Sequence, residues 1–191
     1  VTANSTVTVT VTSVNDNPVA TDDSASVQED STDNAIDVLS NDSDGDGDAL
    51  TINITEAPSN GTAALNGSDE IVYTPDSDFS GVDSILYTVS DDQNFDSATV
   101  VINVLASNDV PSLTDDIDAT DEDSIAFLID VLANDVDADS DLLTITSVSV
   151  PASGGTASIV SGQILYQPAS NFNGTDTFTY IASDGTATAQ G

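Results

Sequence analysis

The chain has 191 residues with 34 Asp and Glu, no Lys, no Arg, no His, no Cys, no Met and no Trp, for a formal net charge of −34. Without side-chain cations it has nothing to neutralise phosphates, which excludes nucleic acid and anionic membrane surfaces. Nucleophile–His catalysis, Schiff-base and thiol chemistry, and Cys/His metal sites lack their residues. The chemistry left belongs to carboxylates, hydroxyls and backbone oxygens, which are the ligands of a hard cation, above all Ca²⁺. No apolar run approaches a membrane span, so membrane insertion is not expected. No signal peptide starts the chain, which reads as a mature soluble segment, with a longer parent left open.

High charge with few aromatics is a signature of disorder. Here, however, 38% of the residues are hydrophobic, and they fall in short clusters rich in Val, Ile and Thr. In chain order, residues 1–14 carry Val7, Val9 and Val11 in strict alternation. Strands are then expected near 24–28, 35–39, 50–56, 61–65, 71–74, 84–90 and 98–105. Alternation of period two marks half-buried strands. Asn60-Gly61, Asn66-Gly67 and Asn173-Gly174 are turn dipeptides. No segment has a helical period. Seven short strands in one stretch of this length predict a Greek-key β-sandwich.

The pattern then returns at an offset of 93 residues. Asn15-Asp16-Asn17-Pro18 recurs as Asn108-Asp109-Val110-Pro111, and Glu29-Asp30-Ser31 as Glu122-Asp123-Ser124. Ile36-Asp37-Val38-Leu39 recurs as Ile129-Asp130-Val131-Leu132. Phe79, Gly81, Asp83 and Tyr87 match Phe172, Gly174, Asp176 and Tyr180. Such a period is the mark of tandem units. Val7, Val9 and Val11 align with Val100, Ile102 and Val104, so residues 1–14 read as the last strand of a preceding repeat. The expected organisation is therefore that strand, a complete repeat at 15–107, and a repeat at 108–191 that lacks its final strand.

The Asn-Asp-Asn-Pro linker, the early Glu29, the Asp42-x-Asp44 pair and Ser90-Asp91 resemble cadherin repeats. Tyr-x-Pro followed by Phe-x-Gly-x-Asp is more closely similar to the cadherin-like, Ig-like tandem repeats of giant bacterial surface proteins of the adhesin type. In cadherins, Ca²⁺ sits between successive repeats. For the linker at 107–111 the resemblance implies Glu29, Asn108, Asp109, Asp135, Asp137 and Asp184 as ligands. For the linker at 15–18 it implies Asn15, Asp16, Asn17, Asp42, Asp44 and Asp91. The cadherin Asp-Arg-Glu motif has no counterpart, so fewer ions per junction are expected.

Asp42-Ser43-Asp44-Gly45-Asp46-Gly47-Asp48 also matches the opening of an EF-hand loop, but Asn53 stands where the closing Glu is required and no helices flank it. The spacing still converges several oxygens, and Asp135, Asp137, Asp139 and Asp141 repeat all four. Of the aromatics, Tyr73/Tyr166, Tyr87/Tyr180 and Phe79/Phe172 recur at repeat positions and read as core, while Phe95 and Phe127 have no aromatic counterpart. Paired carboxylates could hydrolyse glycosides, but no cleft is implied and no enzyme is expected. The reading is an extracellular segment, secreted or at the cell surface, of a calcium-stiffened structural or adhesive rod or filament. The alternative is a calcium-dependent carbohydrate-binding module. Partners are neighbouring repeats or further copies of the chain, with head-to-tail strand addition by residues 5–12, and cell-surface glycans or proteins.

Overall fold

The computed structural model describes residues 4–191. It divides between Ala106 and Ser107 into two compact units, both built from strands. Among the described residues, no helix is long and apolar enough to cross a membrane.

The described residues of unit 1 hold seven strands: β1 (Asp23–Gln28), β2 (Asn34–Ile36), β3 (Thr51–Glu56), β4 (Gly61–Leu65), β5 (Ile71–Pro75), β6 (Gly81–Ser90) and β7 (Phe95–Leu105). They form a four-stranded sheet, β1-β7-β6-β3, and a three-stranded sheet, β2-β5-β4. Two sheets facing each other bury the alternate side chains of every strand. In β7, Val100 and Ile102 are fully buried while Val101, between them, is exposed. Val38, Ile71, Tyr73, Ile85, Tyr87 and Val89 close the same core. The strand β7 begins three residues ahead of its alternating run, because Phe95 to Ser97 pair with Ser90 to Thr88 across the hairpin.

One inward position of β6 is an acid. Asp83 is buried, and its carboxylate accepts the Ser59 N–H at 3.0 Å, the Asn60 N–H at 2.9 Å, the Ser84 N–H at 2.9 Å and the Tyr73 hydroxyl at 3.1 Å. It thereby ties the β3–β4 connection to both sheets. Gly61 follows directly. A Cβ there would lie 2.5 Å from the Thr74 carbonyl oxygen and 2.8 Å from Tyr73 Cε2. Gly61→Ala is therefore expected to destabilise unit 1 by about 2–3 kcal/mol through overpacking. Gly67→Ala, with nothing within 4 Å, should leave it unchanged. Calorimetric melting of both variants checks the contrast.

Unit 2 repeats the plan with β8 (Phe127–Ile129), β9 (Thr144–Val148), β10 (Thr156–Val160), β11 (Gln163–Gln167), β12 (Tyr180–Ser183) and β13 (Thr188–Gln190) in sheets β10-β11-β8 and β13-β12-β9. The 93-residue period survives a compensated change: unit 2 has an extra residue before β10 and a tighter β10–β11 hairpin. Ser161 and Gly162 turn that hairpin with positive φ, 52° and 83°, the conformation of a two-residue turn.

The strand β13 corresponds to Phe95–Ser97, the opening of β7, which in unit 1 runs on through Val100–Leu105. In unit 1 those residues hold β1 in parallel pairing, Asp23 opposite Val100 through Gln28 opposite Leu105. The counterpart of β1, residues 116–121, forms no strand, and Ile117 is 98% exposed. Its composition contributes as well, since Asp118 and Thr120 stand where Ala25 and Val27 face the core. The unit 2 core consists of Val131, Ile145, Ile164, Tyr180 and Ala182, with Phe178 and Ile129 packed against it. Phe127 sits edge-on to Tyr166, and Phe178 stacks on it.

Residues 4–14 form no strand within the described chain, and Val7, Val9 and Val11 are 84%, 77% and 88% exposed. The sequence places a strand over 1–14; of this, residues 1–3 lie outside the described residues.

Candidate metal centre

Each linker is stitched to the aspartate loop of the repeat it leads into. In unit 1, Val19 and Ser43 exchange backbone hydrogen bonds of 2.8 and 3.1 Å; in unit 2, Ser112 and Val136 do the same at 2.8 and 3.1 Å. The Asp16 N–H donates to Asp46 Oδ2 at 2.7 Å, and the Asp109 N–H to Asp139 Oδ2 at 2.8 Å. Asn15 Nδ2 donates to Asp91 Oδ2 at 2.8 Å, and Asn108 Nδ2 to Asp184 Oδ2 at 3.0 Å.

The loop itself is folded by its first inward acid. Asp44 Oδ1 accepts the Asp46 and Asp48 N–H groups at 2.8 and 3.2 Å, and Asp137 Oδ1 accepts the Asp141 N–H at 3.1 Å. Such Asx-type bonds are why Asp favours compact turns. The loop also needs one left-handed residue, supplied by Gly47 at φ 79° in the first copy and by Ser140 at φ 65° in the second. A non-glycine residue there adopts a conformation that L side chains disfavour.

This wrapping leaves the other oxygens of Asp44 and Asp137 buried with no hydrogen-bond partner. Around them, one oxygen each of Asp44, Asp46 and Asp48 lies within 4.8 Å of the others, and so does one oxygen each of Asp137, Asp139 and Asp141. Two oxygens on one Ca²⁺, each 2.3–2.6 Å from the ion, stand at most about 5 Å apart. Each carboxylate pair at such a separation repels by about 1 kcal/mol even in water, and the chain has no Lys, Arg or His to offset it. A desolvated carboxylate oxygen with no donor is likewise unfavourable. The donor set, all hard oxygens, fits Ca²⁺.

The residues implied by the cadherin resemblance separate into groups. Asn15, Asp16, Asp44 and Asp91 gather at one end of unit 1, and Asn108, Asp109, Asp137 and Asp184 gather around the matching loop of unit 2. Hydrogen bonds from the Asn94 backbone and the Asn15 side chain hold Asp91 below the usual carboxylate range. The Asn108 side chain and the Ala187 backbone do the same for Asp184. Asp42 and Asp135 take part in the fold of their own units. Asp42 Oδ1 accepts the Thr21 N–H at 2.7 Å; Asp135 accepts the Thr114 N–H at 2.9 Å and the Tyr180 hydroxyl at 2.8 Å. Burial pushes Asp42 up, with the Thr21 N–H acting against it. Asn17 is exposed.

Glu29 is buried just past β1, where its N–H donates to Leu105 O at 2.9 Å. Leu105 ends β7 beside the start of β6, whereas Asp91 follows the end of β6. Glu29 and the aspartate loop thus occupy opposite ends of unit 1. Asp46, Asp48, Asp139 and Asp141 belong to the loops although the cadherin ligand pattern does not include them. The signal for them is the four-fold Asp-x-Asp alternation itself, present in both copies.

Tandem β-sandwiches, each led by an Asn-Asp linker bonded to an aspartate loop, define a cadherin-like, Ig-like repeat protein. The chain belongs to the bacterial Ig domain family, whose pattern matches residues 15–103 and 108–191. Among solved structures it is similar to the EC1-2 segment of human protocadherin-24, with 16% identity over 88% of this chain and 87% of that one and a TM-score of 0.55. Mouse protocadherin-24 EC1-3 gives 15% identity over 92% of this chain and 68% of that one, with a TM-score of 0.54. These are likenesses of fold. An endo-fucoidan hydrolase from glycoside hydrolase family 107 aligns at 21% identity and a TM-score of 0.42; the chain spans 27% of that protein's length. Comparison with curated proteins finds no match.

Proposed function

We propose that the chain is a calcium-stiffened structural and adhesive segment of a secreted or cell-surface rod. The observation that carries this reading is the pair of buried, unpartnered oxygens of Asp44 and Asp137, each inside a three-aspartate cluster at the same place in both repeats. Asn15-Asp16 and Asn108-Asp109 are linker residues already bonded to these loops and their neighbours. An ion held by the loop and the linker fixes the linker onto its repeat and removes a hinge, while it screens the local repulsion. Dissociation constants of roughly 10⁻⁴–10⁻³ M, as in extracellular modules, match millimolar calcium outside cells. The rod serves as a spacer or scaffold, and its sandwich faces are available to glycans or proteins of a cell surface.

The test is calcium titration of the whole chain. At about 10 mM calcium, such constants stabilise a site by about 1.5–3 kcal/mol, which raises the melting temperature by roughly 6–20 °C in domains of this size. Small-angle scattering should show a narrower distribution of sizes in calcium than in chelator. Identical melting and identical scattering in the two conditions would overturn the reading.

A further inference from the structure

The four-stranded sheet of unit 1 turns an almost uncharged face to solvent. The side chains of β6 that point away from the core are Val82, Ser84, Leu86, Thr88 and Ser90, and the outward positions of β1 and β7 hold no acid either. One acid reaches this face, through an irregularity of β3. Strict alternation would send Glu56 inward, in phase with Ile52 and Ile54. The register instead shifts between Ile54 and Glu56, so that Ile54 stands opposite Tyr87 and Glu56 opposite the outward Leu86. A β-bulge of this kind re-aims the side chain that follows it, and Glu56 is exposed. The Thr55 hydroxyl holds the bulge by donating to the Leu86 carbonyl at 3.1 Å.

Beside the bulge lies a groove of about 160 Å³ lined by Glu56, Ala57, Ser59, Ser84, Leu86 and Thr99. Its frame is fixed from below, because the Ser59 and Ser84 N–H groups both donate to the buried Asp83, at 3.0 and 2.9 Å. Its polar side chains are uncommitted: among the described residues, the Glu56 carboxylate and the Ser59, Ser84 and Thr99 hydroxyls make no hydrogen bond. A concave site where a few polar groups converge on a rigid frame suits a small ligand group. The chemistry of these groups narrows the ligand. A carboxylate only accepts, through two adjacent oxygens, which matches a pair of neighbouring hydroxyls, and such charge-assisted bonds are the strong ones. The three hydroxyls both donate and accept, while Leu86 and Ala57 offer apolar surface to C–H groups. An anionic ligand meets the repulsion of 34 acids with no cation among them. A cation is drawn instead to the aspartate loops, where three carboxylates gather within 4.8 Å.

We propose that this groove binds a sugar ring of a neutral glycan, with Glu56 accepting from two adjacent hydroxyls, Ser59, Ser84 and Thr99 pairing with others, and Leu86 against the C–H face of the ring. The acid-free surface of β6 and β7 around the groove leaves room for the rest of the glycan chain to lie across the sheet. The inference rests on the adhesive part of the reading above and names its partner. No metal takes part, so binding is the same in chelator as in calcium.

Affinity electrophoresis of the whole chain tests this, through gels containing dextran, pullulan, galactomannan or a mixed-linkage β-glucan, with hyaluronan as the anionic comparison and each gel run in calcium and in chelator. At least one neutral polysaccharide should retard the chain, equally in both conditions, and hyaluronan should not. Glu56→Gln should weaken that binding at least about tenfold, because it removes the charge from the strong acceptor. Its melting temperature should match the parent's, since the Glu56 side chain is exposed and bonds to nothing in the fold. Ser84→Ala should weaken binding several-fold. Asp118→Asn, which removes one charge from an exposed position of unit 2, should bind as the parent does. The proposal is overturned if none of the neutral polysaccharides retards the chain, if retardation disappears in chelator, if hyaluronan binds as well as they do, or if Glu56→Gln binds like the parent. Melting and scattering that ignore calcium, with retardation intact, would sink the calcium reading and leave this one standing.

Discussion

Asp83→Ala is expected to lower the melting temperature of unit 1 by at least about 12 °C. The substitution leaves three backbone N–H groups without their acceptor in a buried site, and the Tyr73 hydroxyl keeps only the Asn60 carbonyl at 3.2 Å. Unsatisfied buried donors cost about 1–3 kcal/mol each, with some relief as the site relaxes, so a net loss of about 3–5 kcal/mol is expected. At roughly 4–8 °C per kcal/mol for a domain of this size, the shift is unmistakable. Asp176→Ala removes the same kind of hub from unit 2, with acceptor bonds to Ser153, Thr177 and Tyr166. Asp176 is only half-buried, so its loss should be smaller. The pH dependence has a definite sign. Burial pushes Asp83 up, but the N–H groups of Ser59, Asn60 and Ser84 outweigh it and hold the carboxyl below its ordinary value. Its stabilisation is therefore present above the unfolded-state value of about 3.9 and is lost as pH falls through the lower folded value. Melting of the parent chain should fall away below about pH 4, and Asp83→Ala should flatten that decline in unit 1. Calorimetry across pH checks both statements.

Asp137→Asn is expected to weaken calcium binding by unit 2 at least tenfold. The amide keeps the oxygen that accepts the Asp141 N–H and so preserves the loop fold. It removes the negative charge from the buried position whose oxygen has no hydrogen-bond partner, and ligand charge is a main determinant of calcium affinity in oxygen sites. Asp44→Asn should act in the same way on unit 1. Asp118→Ala removes an exposed carboxylate that accepts only the neighbouring Ala119 N–H and should bind as the parent does. Isothermal titration of the three variants separates a loop-specific loss from a general effect of lowered charge.

The fold is legible in the sequence wherever side-chain alternation decides it. Val100, Ile102 and Val104 announce the buried face of β7, and the seven expected strands of unit 1 appear in order. What alternation misses is set by turns and partners. The extra residues at the start of β7 follow from hairpin pairing with the end of β6, where Ser97 stands opposite Thr88, and no local pattern announces that. The region 116–121 contains Ile117 and Ala119 yet forms no strand; Asp118 and Thr120 stand at the positions where Ala25 and Val27 face the core in unit 1. At the candidate site, resemblance led to Asp44, Asp137, Asp91 and Asp184. It did not show which acids the fold itself engages: Asp135 accepts from Thr114 and Tyr180, whereas one oxygen each of Asp44 and Asp137 is buried with no hydrogen-bond partner. That distinction depends on which hydroxyl packs beneath the loop, and only the folded core sets it.

The tyrosine beneath each loop has an optical consequence. Tyr180 donates its hydroxyl to Asp135, a residue of the aspartate loop, whereas Tyr87 donates at 2.7 Å to Asp23 on β1. With no Trp in the chain, tyrosine emission is not masked. Tyr180 is therefore a built-in reporter whose hydrogen-bond acceptor belongs to the loop, while Tyr87 reads the adjoining strand. The two repeats, alike in backbone plan, carry differently wired fluorophores, and replacing either ring by Phe assigns each signal to its own unit.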